Sequence, residues 1–210
     1  MKIYLASQSA SRQQLLRQAD IPFTVLAITC DEEAVPVSTD VSAYVCAVAR
    51  AKLAVVPAIA RIVPSVDTQE RVVIVTADTM IVTAHSRQLF GKPRDVEHAK
   101  QMLSVMQRES IEIITGMCVQ AYGYRAGQWH KTFYEEHVSL SQADFCVPTA
   151  MFDTYLAREP HAMSACGGAV IEGIGSRYLQ SINGSLSGTL GLDIPALCEI
   201  LNRVAESMQF

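Results

Sequence analysis

Two rhythms of apolar and polar positions alternate along the chain. Residues 2–6 read as a strand, and the helix period that follows over 12–19 turns Leu15, Leu16 and Ala19 inward. Residues 22–28 are β-rich. A second helix over 41–55 places Tyr44, Val45 and Val48 on one stripe. Val72-Val73-Ile74-Val75 is the clearest buried strand. Asp95 predicts an N-cap for a helix whose apolar stripe is Val96, Ala99, Met102, Leu103 and Met106. Residues 111–122 are β-branched and apolar, and 132–140 are set to pair with them. A short helix over 149–157 precedes Glu159-Pro160, and Pro195 suits the first turn of a last helix facing inward with Leu197, Ile200, Leu201 and Val204. Strands alternating with helices predict an α/β fold. No repeat, low-complexity linker or composition break divides the chain, so one domain over 1–210 is expected.

Composition narrows the class. Half of the 210 residues are hydrophobic, which predicts a filled interior rather than disorder. A formal charge of −4 argues against a general nucleic-acid binder, which needs a basic face. It leaves room for a small anionic substrate held by a few local cations. No apolar stretch approaches the roughly 18 residues of a membrane span, and the N-terminus lacks a signal-type apolar core. A cytoplasmic protein away from membranes is expected. Cys30, Cys46, Cys118, Cys146, Cys166 and Cys198 are scattered without metal-site spacing, and Cys46 and Cys198 sit in apolar runs. They read as small buried hydrophobes.

Polar clusters interrupt the pattern where elements end. Ser7-Gln8-Ser9-Ala10-Ser11-Arg12 stands between the first strand and helix. Hydroxyls, backbone N–H groups at a helix N-terminus and a guanidinium can cradle a phosphate; the same residues can equally be a simple cap with a solvated arginine. Thr76-Ala77-Asp78-Thr79 is expected to close the strand over 72–75, putting Asp78 at its carboxyl end, where open α/β sheets bind ligands. There the carboxylate can hold Mg²⁺ or orient a water, or else be a turn residue bonding its own backbone. Gly91-Lys92-Pro93 presents one lysine. Asp31-Glu32-Glu33 is either part of a divalent-metal site or an exposed acidic loop. Lys52 falls in the second helix, and Glu172 in a glycine-rich stretch where backbone can approach a flat ligand.

Together these segments resemble a family. Leu5-Ala6-Ser7-Gln8-Ser9-x-x-Arg12-x-x-Leu15-Leu16 is similar to the opening signature of the Maf proteins, and Ala77-Asp78-Thr79, Gly91-Lys92-Pro93, Ile182-Asn183-Gly184-Ser185 and Gly191-Leu192 follow its later landmarks over about residues 2 to 203. The resemblance implies a mixed central sheet flanked by helices, with two lobes around a nucleotide cleft, as in the inosine-triphosphate pyrophosphatases. It implies divalent-metal-dependent hydrolysis of a nucleoside triphosphate to monophosphate and pyrophosphate, with Mg²⁺, Mn²⁺ or Co²⁺, and a homodimer. By position, Ser7, Ser9, Arg12, Lys52 and Lys92 would hold phosphate oxygens. Asp78 would be the catalytic carboxylate, and Glu32 would share the metal with it.

Two departures bear on substrate. Ser11 replaces an arginine of many members, and Glu172 stands where pyrimidine-selective members commonly carry Gln. An ionised Glu is acceptor-only and suits the N1–H and N2–H₂ donors of guanine; in carrying Glu here and lacking the extra arginine, the chain resembles the members that act on 7-methyl-GTP. Ala77-Asp78-Thr79 is instead more like the dTTP/UTP group. A different class, a nucleotide-binding regulator of cell division or septum formation without turnover, would keep the cleft but would not need Asp78.

Overall fold

The computed structural model describes residues 1–63 and 71–207. In chain order its elements are β1 (Lys2–Leu5), α1 (Ala10–Gln18), β2 (Thr24–Val25), α2 (Val41–Ala54), α3 (Ile59–Ile62), β3 (Arg71–Thr83), β4 (Leu89–Phe90), α4 (Val96–Met106), β5 (Ile111–Arg125), β6 (Gln128–Phe145), α5 (Phe152–Arg158), β7 (Leu179–Asn183), α6 (Leu186–Thr189) and α7 (Ile194–Glu206), with 3₁₀ turns between β6 and β7. Among the described residues seven strands form one mixed sheet, ordered β2-β1-β3-β5-β6-β7 with β4 on β3. β1 runs parallel to both β2 and β3, whereas β4 is antiparallel to β3 and β7 to β6. This is the α/β architecture expected. None of the described helices is long and apolar enough to cross a membrane.

The chain falls into two compact units. The first holds the described residues of Met1–Asp78, Thr115–Val138 and Leu190–Phe210; the second is Thr79–Ile114 with Ser139–Thr189. In the first, strand alternation sorts side chains to two faces. Ile3, Leu5, Val73, Val75 and Ala77 pack with Leu15 and Leu16 of α1 and Leu197, Ile200, Leu201 and Val204 of α7. Tyr4, Ala6, Val72 and Ile74 face the other way, against Ile59 and Val63. On β5, a Cβ at Gly116 would come within 2.8 Å of the Cys46 nitrogen and the Val45 carbonyl carbon, so α2 lies directly on the strand there.

In the second unit Asp95 caps α4 by accepting from the His98 N–H at 2.7 Å, and Ala99, Met102, Leu103 and Met106 are buried against Phe90, Ile111 and Phe145. Tyr155 is fully buried between Phe145 and Tyr178, both edge-on to it. Its hydroxyl donates to the Gly168 carbonyl at 2.8 Å and accepts from the Val170 N–H at 2.9 Å. One ring thereby pins the glycine-rich loop that leads to Glu172.

Several expectations need correction. β3 does not close at Thr76 but runs on to Thr83. The strand over 22–28 shrinks to two exposed residues, because β2 pairs only at Thr24 and Val25. Tyr44 is half-buried, and the buried face of α2 is Val41, Val45, Cys46, Val48, Ala49 and Lys52. Val96 is exposed at the start of α4. Only Cys46 and Cys118 are buried, with the Cys118 thiol pushed up to about 11 by desolvation; Cys198 lies on the exposed side of α7.

Candidate active site

β1 and β3 are parallel, with Leu5 opposite Val75. The residues following β1 therefore lie beside Thr76–Asp78 in the middle of β3, and the Ala6 N–H still donates to the Val75 carbonyl at 2.9 Å. Ser9 is the N-cap of α1, in extended conformation, and accepts from the Arg12 N–H at 3.4 Å. Ser7 Oγ accepts from the Ser9 N–H and from Arg12 Nη1, each at 3.2 Å. Arg12 is buried, and its Nε donates to the Gly191 carbonyl at 2.7 Å. Ser7, Ser9 and Arg12 thus come together as one polar turn at a helix N-terminus, where backbone N–H groups and the helix dipole favour an anion.

The polar middle of β3 meets α2. Val72, Ile74, Thr76 and Asp78 share one strand face by their spacing of two. Thr76 Oγ1 donates to the Ala49 carbonyl at 2.7 Å, and Asp78 Oδ1 accepts from Lys52 Nζ at 2.8 Å. Lys52 also pairs with Glu32 Oε1 at 3.0 Å and donates to the Ala77 carbonyl at 3.3 Å. Lys52 and Asp78 are both buried, 8% exposed each. β3 continues past Thr76 because its backbone stays paired in the sheet, with β4 at Ile81 and Val82, so Asp78 lies inside a strand rather than at its end, and α2 supplies partners for the polar side chains there.

Of the acidic triplet only Glu32 reaches this cluster through a described contact. Asp31 and Glu33 are exposed, and Asp31 Oδ1 accepts from the Ala34 N–H within its own turn. Cys30 stands close enough to feel the charges of Lys52, Glu32, Asp31 and Asp78, but desolvation dominates and raises its thiol, so it is a poor nucleophile. The oxygen donors gathered around Lys52 are two carboxylates and a backbone carbonyl, a hard set. Mg²⁺ is commonly held by one or two carboxylates with substrate phosphates completing the shell, so Glu32 and Asp78 fit such an ion. Among the described residues no group of three or more His, Cys, Asp or Glu could hold a metal by itself.

Lys92 and Glu172 belong to the second unit. Lys92 is exposed after β4, in a loop tied down where Gly91 O accepts from the Gly167 N–H at 2.8 Å. Glu172 is half-buried at the start of the 3₁₀ turn Gly173–Arg177, its carbonyl accepting from the Gly175 N–H at 3.0 Å.

The family model of the Maf-like proteins matches residues 2–204. The chain belongs to the Maf-like protein family. Curated relatives cover nearly all of it: a Lacticaseibacillus casei protein is 32% identical over 95% of this chain and 97% of its own length, and a Bacillus cytotoxicus protein is 31% identical over 96% and 95%. A protein from an Anaeromyxobacter species is 29% identical over 99% of this chain and 91% of its own. Each of the three carries the name dTTP/UTP pyrophosphatase.

Two participants in this Maf-like site escaped the reading of residue types. Thr76 could have been found, since a hydroxyl two residues before Asp78 on a strand must share its face. The Gly191 carbonyl that holds Arg12 is 179 residues away in the chain, and Gly191-Leu192 was legible as a landmark of the resemblance but not as the partner of Arg12.

Proposed function

We propose that this Maf-like protein hydrolyses a nucleoside triphosphate to the monophosphate and pyrophosphate, with a divalent cation, Mg²⁺, Mn²⁺ or Co²⁺, bound by Asp78 and Glu32. The observation that carries the reading is the Asp78–Lys52–Glu32 cluster, built on the buried Lys52–Asp78 pair in the middle of β3, beside the carboxyl end of the neighbouring parallel strand β1 from which the Ser7–Arg12 turn follows. The names of the relatives support the same reaction. Water attacks the α-phosphorus, a new P–O bond forms, and the bond to the β-phosphate oxygen breaks. Asp78 accepts the proton of that water or orients it. Ser7, Ser9 and Arg12 bind the phosphate chain, with Lys52 and Lys92 assigned to it by resemblance; their donors offset the charge that builds on pyrophosphate as it leaves. A divalent cation held by Asp78 and Glu32 would supply positive charge to offset that of the phosphate oxygens.

For the base, the relatives' names support dTTP and UTP. A second reading, a guanine nucleotide, is favoured by Glu172, because an acceptor-only carboxylate matches the two donors on the guanine edge better than the mixed edge of a pyrimidine; the resemblance narrows that reading to 7-methyl-GTP.

Pyrophosphate release measured with each of the three cations across a nucleotide panel tests the proposal. Turnover of at least one nucleotide is expected, and Asp78→Asn should remove most of it while the fold persists. Nucleotide binding without pyrophosphate release would instead favour a regulator, and an Asp78→Asn variant as fast as the parent would reject the catalytic role of Asp78.

A further inference from the structure

Lys52 occupies the point on which the acidic side chains converge. Its ammonium is 2.8 Å from Asp78 Oδ1, 3.0 Å from Glu32 Oε1 and 3.3 Å from the Ala77 carbonyl oxygen. A lysine has three N–H donors, so these acceptors use its whole donor capacity. In this arrangement Lys52 has none left for a phosphate oxygen. A divalent cation held by Asp78 and Glu32 needs the same carboxylate oxygens, and two cations in contact repel strongly in a buried site.

We infer that Lys52 is an internal counter-ion, which holds Asp78 and Glu32 in the resting protein, releases them to an arriving divalent cation, and turns its ammonium to the phosphate chain. The inference rests on the proposed metal role of Asp78 and Glu32.

The surroundings suit such an exchange. The Lys52 and Asp78 side chains are 10% and 11% exposed, so without the ammonium a buried carboxylate would stand uncompensated. The Glu32 side chain is 42% exposed and forms the open flank of the cluster, where a hydrated ion can enter. Lys52 lies in the last turn of α2, and its flexible four-carbon stem lets the ammonium move while the helix stays in place. Charge stays balanced too: the divalent ion replaces one positive charge at two carboxylates, and the displaced charge meets a triphosphate.

The test is Mn²⁺ binding without nucleotide, followed by calorimetry on the parent, Lys52→Met, Lys52→Gln and Asp78→Asn. Removing the competing charge should tighten Mn²⁺ binding by at least about tenfold in both Lys52 variants. In the parent, Mn²⁺ should raise acylation of Lys52 relative to the exposed Lys131, read by peptide mass spectrometry, and inorganic triphosphate added with Mn²⁺ should lower it again. This labelling arm decides the matter even if both Lys52 variants fail to fold. Equal or weaker Mn²⁺ binding in the folded Lys52 variants, or Lys52 labelling indifferent to Mn²⁺, overturns the exchange. If those results come while Asp78→Asn still weakens Mn²⁺ binding, the metal role of Asp78 stands without it. Mn²⁺ binding untouched by Asp78→Asn removes the metal reading, and the exchange with it.

Discussion

Thr76 Oγ1 donates a 2.7 Å hydrogen bond to the main-chain carbonyl of Ala49, one turn of α2 before Lys52. Two residues along β3, Asp78 takes the ammonium of Lys52 at 2.8 Å. A strand pair at i and i+2 is thereby matched to a helix pair at i and i+3, which sets where the lysine stands over the carboxylate.

Thr76→Val keeps the shape of the side chain and deletes the donor. It should cost about 1 kcal/mol of stability, and lower kcat more than it raises KM. Thr76→Ser, which keeps the hydroxyl, should restore both. Denaturant unfolding with steady-state kinetics measures the pair; a serine variant no better than valine would show that the hydroxyl has no part in placing Lys52.

Gly116→Ala probes the same packing from below. The new methyl would meet backbone atoms of Val45 and Cys46 at 2.8 Å, and main chain cannot yield as a side-chain tip can. Overpacking of this kind costs roughly 1–3 kcal/mol, so the unfolding midpoint should drop with little change in its slope.

Arg12→Ala and Lys92→Ala should each lower triphosphate turnover by on the order of tenfold or more, since a charge-assisted contact contributes roughly 1.5–3 kcal/mol. Their effects on stability should differ. Arg12 is buried and bonded to Gly191 and Ser7, so its loss should also lower the melting temperature, whereas exposed Lys92 should leave it unchanged. Arg12→Lys should not rescue, because an ammonium cannot reproduce the guanidinium fork. Equal losses in nucleoside and nucleotide affinity would speak against a phosphate role.

Glu172→Gln is nearly isosteric and should report hydrogen bonding. If Glu172 accepts from a guanine edge, the variant should lose about five- to a hundredfold in guanine over pyrimidine kcat/KM, the effect of a mismatched hydrogen bond to the bound base. An unchanged ratio would leave the dTTP/UTP reading alone in the field.

Asp144 accepts hydrogen bonds from the Ser110 and Ser181 hydroxyls, which hold its carboxyl below the usual carboxylate range. A folded-state pKa below the unfolded one means stability present above the unfolded value, about pH 4, and lost as pH falls through the folded one. The gap in unfolding free energy between the parent and Asp144→Ala should therefore be full at neutral pH and shrink in acid below about pH 4. A gap that does not shrink there would mean that the ionised form contributes nothing.

What the chain alone determined is what local chemistry controls. The first strand, the cap at Asp95, the inward stripe of α7 and, Val96 apart, that of α4 were legible because capping residues and a helix period act over a few neighbours. The residue types of the candidate site were legible too, as polar breaks in an apolar pattern and as a family resemblance. Tertiary structure decided the rest. Thr76 and Asp78 look like the end of a strand, but β3 stays paired in the sheet to Thr83 and α2 supplies their side chains with partners. Glu32, Lys52 and Asp78 are separate in the chain, and only the placement of α2 against β3 makes them one charge cluster. Arg12 is buried because a carbonyl 179 residues away receives it. A burial cost is recovered only by partners brought from elsewhere in the chain, and their identity is set by packing rather than by sequence neighbours.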